Sequence, residues 1–233
     1  MAGDVLIRGH GFPVDHIALA VPDTQFGVRY VEQLTGVKPV LTKSDPTDFY
    51  WSAALGIGEN SFLEVIGPNP GHKGIHPFKS FMAGMKEPAV LFWYVATDDF
   101  EAFCKRVEEA GETLSNIVTV DPETSANGSS YTRAGIGKGF ETQRPNVIEW
   151  RKRSVEQSTD IQCRMTGFSL RHPKPKALNK LFESLGIDAV VEKGPSRIGL
   201  TLQTPKGEVT LANPGVKFGL ATLLSAILHR PFG

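Results

Sequence analysis

Hydrophobic and polar positions follow one repeating succession along the chain. In the first segment the apolar run HIALAV precedes a helical stripe of apolar residues, and three short strand-like runs follow, the last being NSFLEVIGP. Asp23 is placed to cap the helix, and Gly36 is placed to end it. The pattern predicts the order strand, helix, strand, strand, strand over residues 13–68.

The same succession begins twice more at a constant interval. The glycines that end the predicted helices, Gly36, Gly111 and Gly186, lie 75 residues apart each time. A fixed interval with a fixed order of elements predicts copies of one supersecondary unit. We therefore expect βαβββ modules at 13–68, 88–150 and, less regularly, 160–214, with a linker rich in Pro and Gly at 69–87 that carries a short helix.

A module of this kind has an apolar sheet face that it cannot cover alone, so modules are expected to pair. The predicted fold is α+β, with the first two modules forming a curved mixed-sheet cup. The third module needs a partner within the chain, on the C-terminal segment or in a second subunit, which makes a homodimer one expectation. Residues 215–233 read as an amphipathic helix that is too short to span a bilayer.

Charge and composition narrow the range of partners. Twenty-five basic residues balance twenty-five acidic ones, so no overall field favours nucleic acid or an anionic membrane surface. The two cysteines are far apart and do not form a disulfide framework. The first residues lack the pattern of a secretory signal, and a cytoplasmic location is the expectation.

Two chemically active residues interrupt the apolar runs of the first module. His16 lies on its first strand and Glu64 on its last. Charged groups in such strands are rarely buried unless they are paired or bound to a cation, and an imidazole with a carboxylate can supply two ligands to a divalent metal. The alternative is a core histidine bonded to a backbone carbonyl.

The repeat suggests a third ligand. Glu149 in RPNVIEW matches Glu64, whereas Leu91 stands where the second module would repeat His16. If the first two modules close on each other, His16, Glu64 and Glu149 can share a cleft and hold a metal with open coordination. Glu149 can instead act as the catalytic base.

Three further side chains are candidates for substrate binding. Trp51 and Trp93 lie on strands of the two modules and suit an apolar or aromatic ligand, with ordinary core packing as the alternative. Arg144 can anchor a substrate carboxylate through its planar guanidinium, with a surface role as the alternative.

The chain resembles the vicinal oxygen chelate superfamily, in particular its glyoxalase-like domain group. The resemblance is carried by the element order and by three motifs: DHIALAVPD at the start, FLEVIGP on the fourth strand and PNVIEW at the end of the second module. The resemblance implies an eight-stranded cup around a metal, with His16, Glu64 and Glu149 in ligand positions. Two departures stand out. Leu91 occupies the fourth ligand position, and KSDPTDFYWSAAL replaces the group's usual His, Gly, Thr and Asn pattern.

Two functions follow from these residues and this resemblance. The first is a metal-dependent enzyme in which a divalent ion chelates a small oxygen-rich organic substrate for lyase, isomerase or dioxygenase chemistry. The second is a metal-free protein that binds or sequesters a planar small molecule by burial and stacking.

Overall fold

The structure is a computed structural model that describes residues 13–42, 48–123, 125–138, 141–154 and 161–213. The strands are β1 (Val14–Ala20), β2 (Val40–Leu41), β3 (Tyr50–Gly58), β4 (Ser61–Pro68), β5 (Ala89–Ala96), β6 (Leu114–Val120), β7 (Ser130–Ile136), β8 (Asn146–Lys152), β9 (Arg164–His172), β10 (Val191–Lys193), β11 (Arg197–Thr204) and β12 (Gly207–Ala212). The helices are α1 (Thr24–Thr35), α2 (Pro77–Ala83), α3 (Phe100–Glu109) and α4 (Pro175–Leu185). The predicted C-terminal helix at 215–233 lies outside the described residues.

Strands β1 to β8 form one mixed sheet in the order β2-β3-β4-β1-β5-β8-β7-β6. In each half the first strand pairs in parallel with the fourth, and the two halves join through the antiparallel pair β1 and β5. The α+β class expected from the sequence is confirmed. Because β1, β4, β5 and β8 are neighbours, side chains far apart in sequence meet at the centre of one sheet face.

Capping groups define the ends of the helices that cover one face of this sheet. The Asp23 carboxylate accepts the backbone N–H of Phe26 at 2.7 Å, so α1 begins where the sequence predicts. Gly36 ends α1 in the left-handed region, at φ 80°, a conformation that favours glycine. We call the face covered by α1 and α3 the helix face, and the opposite face the cup face.

Strands β9 to β12 form a second sheet, which packs on the helix face. Its order is β10-β9-β11-β12, so β9 lies between β10 and β11 instead of beside β12. The third segment therefore repeats the order of elements of the first two but not their strand arrangement. Its apolar face covers both α4 and Trp93 of β5, whose ring lies 5.1 Å from Phe168 and 5.8 Å from Phe182. The partner for this sheet is thus found within the chain.

Helix α2, in the segment expected to be a linker, packs on the cup face. Its buried Met82 lies in a small apolar cluster with Ala18, Ile66 and Leu91, so α2 fills one end of the cup. Leu91, at the position where a fourth metal ligand is usual, is part of this cluster and is fully buried. Within the described ranges, no helix is both long and apolar enough to cross a membrane.

Candidate functional site

His16 lies on the cup face, held between aromatic rings of the neighbouring strands. Its ring stacks on Tyr94 of β5 at 3.8 Å and on Phe62 of β4 at 4.7 Å, measured between ring centroids. These contacts follow from the register, because His16 pairs with Phe62 on one side and with Tyr94 on the other. Only 5% of His16 is exposed, so its ring orientation is fixed by packing.

A register shift between Val14 and His16 brings the neighbouring carboxylate to the imidazole. Asp15 Oδ2 lies 2.7 Å from His16 Nδ1, although adjacent residues of a regular strand point to opposite faces. Irregularities of this kind are frequent beside active sites, where they redirect a side chain. An ionised Asp15 accepts the Nδ1 proton, which leaves Nε2 of a neutral His16 as the free nitrogen.

Asp15 is buried and charged. Burial alone raises the pKa of its carboxyl group, but the hydrogen bond and charge of His16, together with the charge of Arg153, outweigh burial and hold the pKa below its usual value of 3.8. Trp150 Nε1 donates to Asp15 Oδ2 at 3.1 Å, and the guanidinium of Arg153 donates to Oδ1. The carboxylate is therefore a fixed negative charge behind His16.

Glu64 is the second residue that the sequence singled out, and the structure brings it to His16. Its Oε2 lies 3.9 Å from His16 Nε2, and its side chain is 18% exposed, so solvent reaches this point of the cup. The separation is too long for a direct hydrogen bond. A base and a carboxylate thus lie side by side, so that one substrate atom approaching from the cup can contact both.

Glu149 does not join this pair. On β8, Ile148 and Trp150 face the cup, and the alternation of side chains turns Glu149 to the helix face. There its Oε1 accepts the backbone N–H of Phe100 at 2.9 Å, at the N-terminus of α3, where a carboxylate is favoured by the helix dipole. The three expected ligands are therefore not assembled, and the described residues contain no group of three or more His, Cys, Asp or Glu side chains placed to hold a metal.

Neither tryptophan singled out as a possible cleft residue lies in the cup. Trp93 pairs with Ile17, a core residue, and is fully buried on the helix face against Phe168 and Phe182. Trp51 lies two residues before Ala53 and four before Leu55, both core residues, so by alternation it also points to the helix face. The core-packing alternative describes Trp93 correctly.

Arg144 is held in an ion-pair network outside the cup. Its guanidinium donates to Glu112 and to Glu141 at 2.9 Å each. Glu141 also lies 3.2 Å from His172 Nε2, which links this network to the second sheet. With both carboxylates in place, Arg144 acts as a structural cation between segments.

The sequence reasoning missed Arg133, which points into the cup from β7. Tyr50, Tyr94 and Tyr131 all lie close enough to its guanidinium to interact with its charge. Burial, and after it the charge of Glu64, raises the pKa of Tyr50 well above 10.0, and burial also raises the pKa of Tyr94 and Tyr131, so all three are neutral phenols at neutral pH. Strict alternation along β7, with Tyr131 and Arg133 on one face, was the signal available in the sequence.

The chain was compared with solved structures and with curated proteins. A mutant of 4-hydroxymandelate synthase from Streptomyces coelicolor has 14% identity and a TM-score of 0.53. The match covers 87% of this chain and 63% of the synthase. A hypothetical protein from Staphylococcus aureus has 10% identity and a TM-score of 0.54, over 85% of this chain and 84% of its own. Methylmalonyl-CoA epimerase from Mycobacterium tuberculosis has 14% identity and a TM-score of 0.43, and the match covers 68% of this chain and 97% of the epimerase.

At these identities the first two likenesses show the fold alone, and this chain spans less than two thirds of the synthase. No curated protein matches the sequence. The glyoxalase-like domain family matches residues 14–186, which is more than half of the chain. The protein therefore belongs to the glyoxalase-like domain family.

Proposed function

We propose that the cup is the active site of an enzyme that transfers a proton on a small oxygen-rich organic molecule. The observation that carries this proposal is the arrangement of Asp15, His16 and Glu64. Asp15 contacts His16 Nδ1, and the other ring nitrogen, Nε2, lies 3.9 Å from Glu64 Oε2 on the cup face. Paired groups of this kind take a proton from one position of a substrate and return it to another. Isomerase and lyase chemistry both require that step.

Each residue has a separate part in this scheme. His16 Nε2 accepts the substrate proton, and the fixed charge of Asp15 stabilises the imidazolium that forms. The imidazolium then returns the proton to a second position of the substrate, while the Glu64 carboxylate accepts a hydrogen bond from a substrate hydroxyl group. The rings of Phe62 and Tyr94 keep the imidazole in place during transfer.

A catalytic divalent metal, which the superfamily implies, fits the donor set poorly. Catalytic metal sites commonly use three protein ligands, and here His16 and Glu64 supply two while Glu149 faces away. Arg133 also lies on the cup face, close to the Tyr94 that stacks on His16, and a nearby cation disfavours a bound metal ion. Dioxygenase chemistry belongs to the metal-bound alternative.

Metal analysis decides between these alternatives. We expect the purified protein, after supplementation with divalent metals and desalting, to retain much less than one ion per chain in elemental analysis. His16→Ala and Glu64→Ala are expected to retain the same low amount. Near-stoichiometric metal in the wild type that is lost in both variants would contradict the metal-free scheme and restore the metal-dependent one.

Proton transfer is tested directly by exchange with solvent. A panel of 2-oxo and 2-hydroxy acids is incubated in D₂O, and deuterium incorporation is followed by NMR. We expect His16→Gln to slow incorporation about 100-fold, the usual range for loss of a general base. Glu149→Gln is expected to match the control Glu59→Gln, an exposed glutamate in the turn between β3 and β4. Equal rates in wild type and His16→Gln, or a loss in Glu149→Gln, would count against this assignment.

The second candidate function is a metal-free binding protein. It is favoured by the aromatic side chains on the cup face, which include Tyr50, Phe62, Tyr94, Tyr131 and Trp150. Such a surface can hold a planar molecule by stacking without any reaction. A ligand that binds in the cup but shows neither turnover nor proton exchange would favour this function over the enzyme.

A homodimer through the second sheet stays a prediction. The face of that sheet away from the core carries Thr201 and Thr210, whose hydroxyls lie 3.3 Å apart and are exposed, so it is polar instead of apolar. Because obligate dimer interfaces are more apolar than this, a dimer formed there is expected to be weak. Light scattering over a concentration series measures it.

A further inference from the structure

We propose that Arg133, with Tyr50, Tyr94 and Tyr131 around it, forms a subsite for the carboxylate of a small, flat organic acid. The subsite would hold the anionic end of the molecule beside the gap between His16 and Glu64. This inference rests on the proposed function only for the part that His16 plays afterwards, because anion binding at Arg133 does not require a reaction.

The first argument is the balance of charge. A guanidinium is ionised at every pH that proteins tolerate, and a charge withdrawn from water needs a counter-charge. Within the part of the chain that the structure describes, Arg133 forms no ion pair with a carboxylate, in contrast to Arg144 and Arg153. The tyrosines near it are neutral phenols, whose dipoles stabilise the cation without cancelling its charge.

The second argument is access. Arg133 and the three tyrosines are each partly exposed, whereas the core residues next to Arg133 on the other face of β7, such as Ala134, are buried. The Arg133 side chain is therefore half-buried on the cup face, largely withdrawn from water but not fully covered by other residues. A molecule that enters the cup meets a planar, bidentate donor that suits a carboxylate.

The third argument is position relative to the acid–base pair. Tyr94 connects the two sites, because it lies close enough to Arg133 to interact with its charge and its ring stacks on His16. Glu64 is close enough to all three tyrosines for its charge to act on them. A carboxylate on Arg133 would thus place the adjoining atoms of the same molecule near His16 Nε2.

The surrounding rings favour a flat body for the bound acid. Tyr131 and Trp150 meet edge to face at 5.1 Å, and Phe62 and Tyr94 enclose His16 on the neighbouring strands. Aromatic walls bind planar groups through their faces and edges. The ligand class is therefore an aromatic or conjugated carboxylate, for which benzoate is the simplest probe and benzamide its neutral counterpart of nearly equal shape.

Binding of these two probes, followed by NMR titration of the full chain, tests the subsite. We expect benzoate to bind the wild type at least about tenfold more tightly than benzamide, the discrimination typical of a charge-assisted hydrogen-bonded pair. Arg133→Met is expected to weaken benzoate binding by about tenfold or more and to leave benzamide binding unchanged. Arg133→Lys keeps the positive charge but loses the planar, bidentate guanidinium, so its affinity for benzoate is expected to lie between those of the wild type and Arg133→Met.

Two controls separate the possible failures. Thermal unfolding of Arg133→Met and a chemical-shift map outside the cup establish that the variant is folded. Glu59→Gln, in the exposed turn between β3 and β4, is expected to bind benzoate as the wild type does. A wild-type protein that binds benzoate through Arg133 but shows no proton exchange retains the subsite and loses the enzymatic proposal. Equal affinity for benzoate and benzamide, or benzoate binding that survives Arg133→Met, would overturn the subsite itself.

Discussion

Replacing Trp93 with alanine is expected to lower the free energy of unfolding by about 3–5 kcal/mol, the range for deleting a large buried aromatic side chain. Trp93 is fully buried, and its ring contacts Phe168 of β9 and Phe182 of α4. Its Nε1 donates to the carbonyl of Gln143 at 3.2 Å. One side chain thus joins the eight-stranded sheet, the second sheet and the loop before β8, so its loss opens a cavity at their junction.

Urea unfolding followed by circular dichroism measures this change in unfolding free energy. Two further variants show how much of it depends on the volume, the hydrogen bond and the burial of the side chain. Trp93→Phe keeps most of the volume but removes the donor to Gln143, and we expect a loss of roughly 1–2 kcal/mol. Trp51→Ala removes a tryptophan that points to the same face but is partly exposed, and we expect a smaller loss than for Trp93→Ala. If Trp51→Ala and Trp93→Ala destabilise the protein equally, Trp93 is not the junction described here.

The sequence predicted the elements well and their pairing less well. Gly36 and Gly186 end helices at the predicted places, because a left-handed residue after a helix is a local requirement that one residue type meets best. Strand pairing is a long-range property. The same order of elements allows β9 to lie beside β12, as β1 lies beside β4, or between β10 and β11, as observed. Hydrophobic periodicity does not distinguish these arrangements.

The candidate site shows the same difference between local features, which the sequence predicts, and long-range pairing, which it does not. His16 and Glu64 were found because each interrupts an apolar run of its own strand, and their strands are neighbours. Glu149 was matched to Glu64 by motif, but a shift of one position along a strand moves a side chain to the other face. Asp15 was missed because its contact with His16 depends on a register shift that composition does not reveal.

Substitution of Asp15 by asparagine is expected to cost roughly 2–4 kcal/mol of unfolding free energy at neutral pH. It leaves the half-buried guanidinium of Arg153 without its carboxylate and removes the buried acceptor of Trp150 and His16. Asp15 is 1% exposed and accepts hydrogen bonds from Trp150 and Arg153 while facing His16 Nδ1. The exposed Glu59→Gln, which makes the same chemical change in a turn, is expected to alter stability little. Denaturant unfolding of the three proteins measures both effects.

The pH dependence identifies the charge of Asp15 as the cause. Because the folded-state pKa of this carboxyl group lies below its usual value of 3.8, the contribution of Asp15 to stability is present above about that pH and is lost as the pH falls through the lowered folded pKa. The difference between wild type and Asp15→Asn should therefore be constant near neutrality and shrink below pH 3.8. A double-mutant cycle with Arg153→Met is expected to show coupling between the two residues. A difference that persists unchanged into acid, without such coupling, would indicate that Asp15 acts through shape and hydrogen bonding and that His16 lacks the charged neighbour on which its role as a base depends.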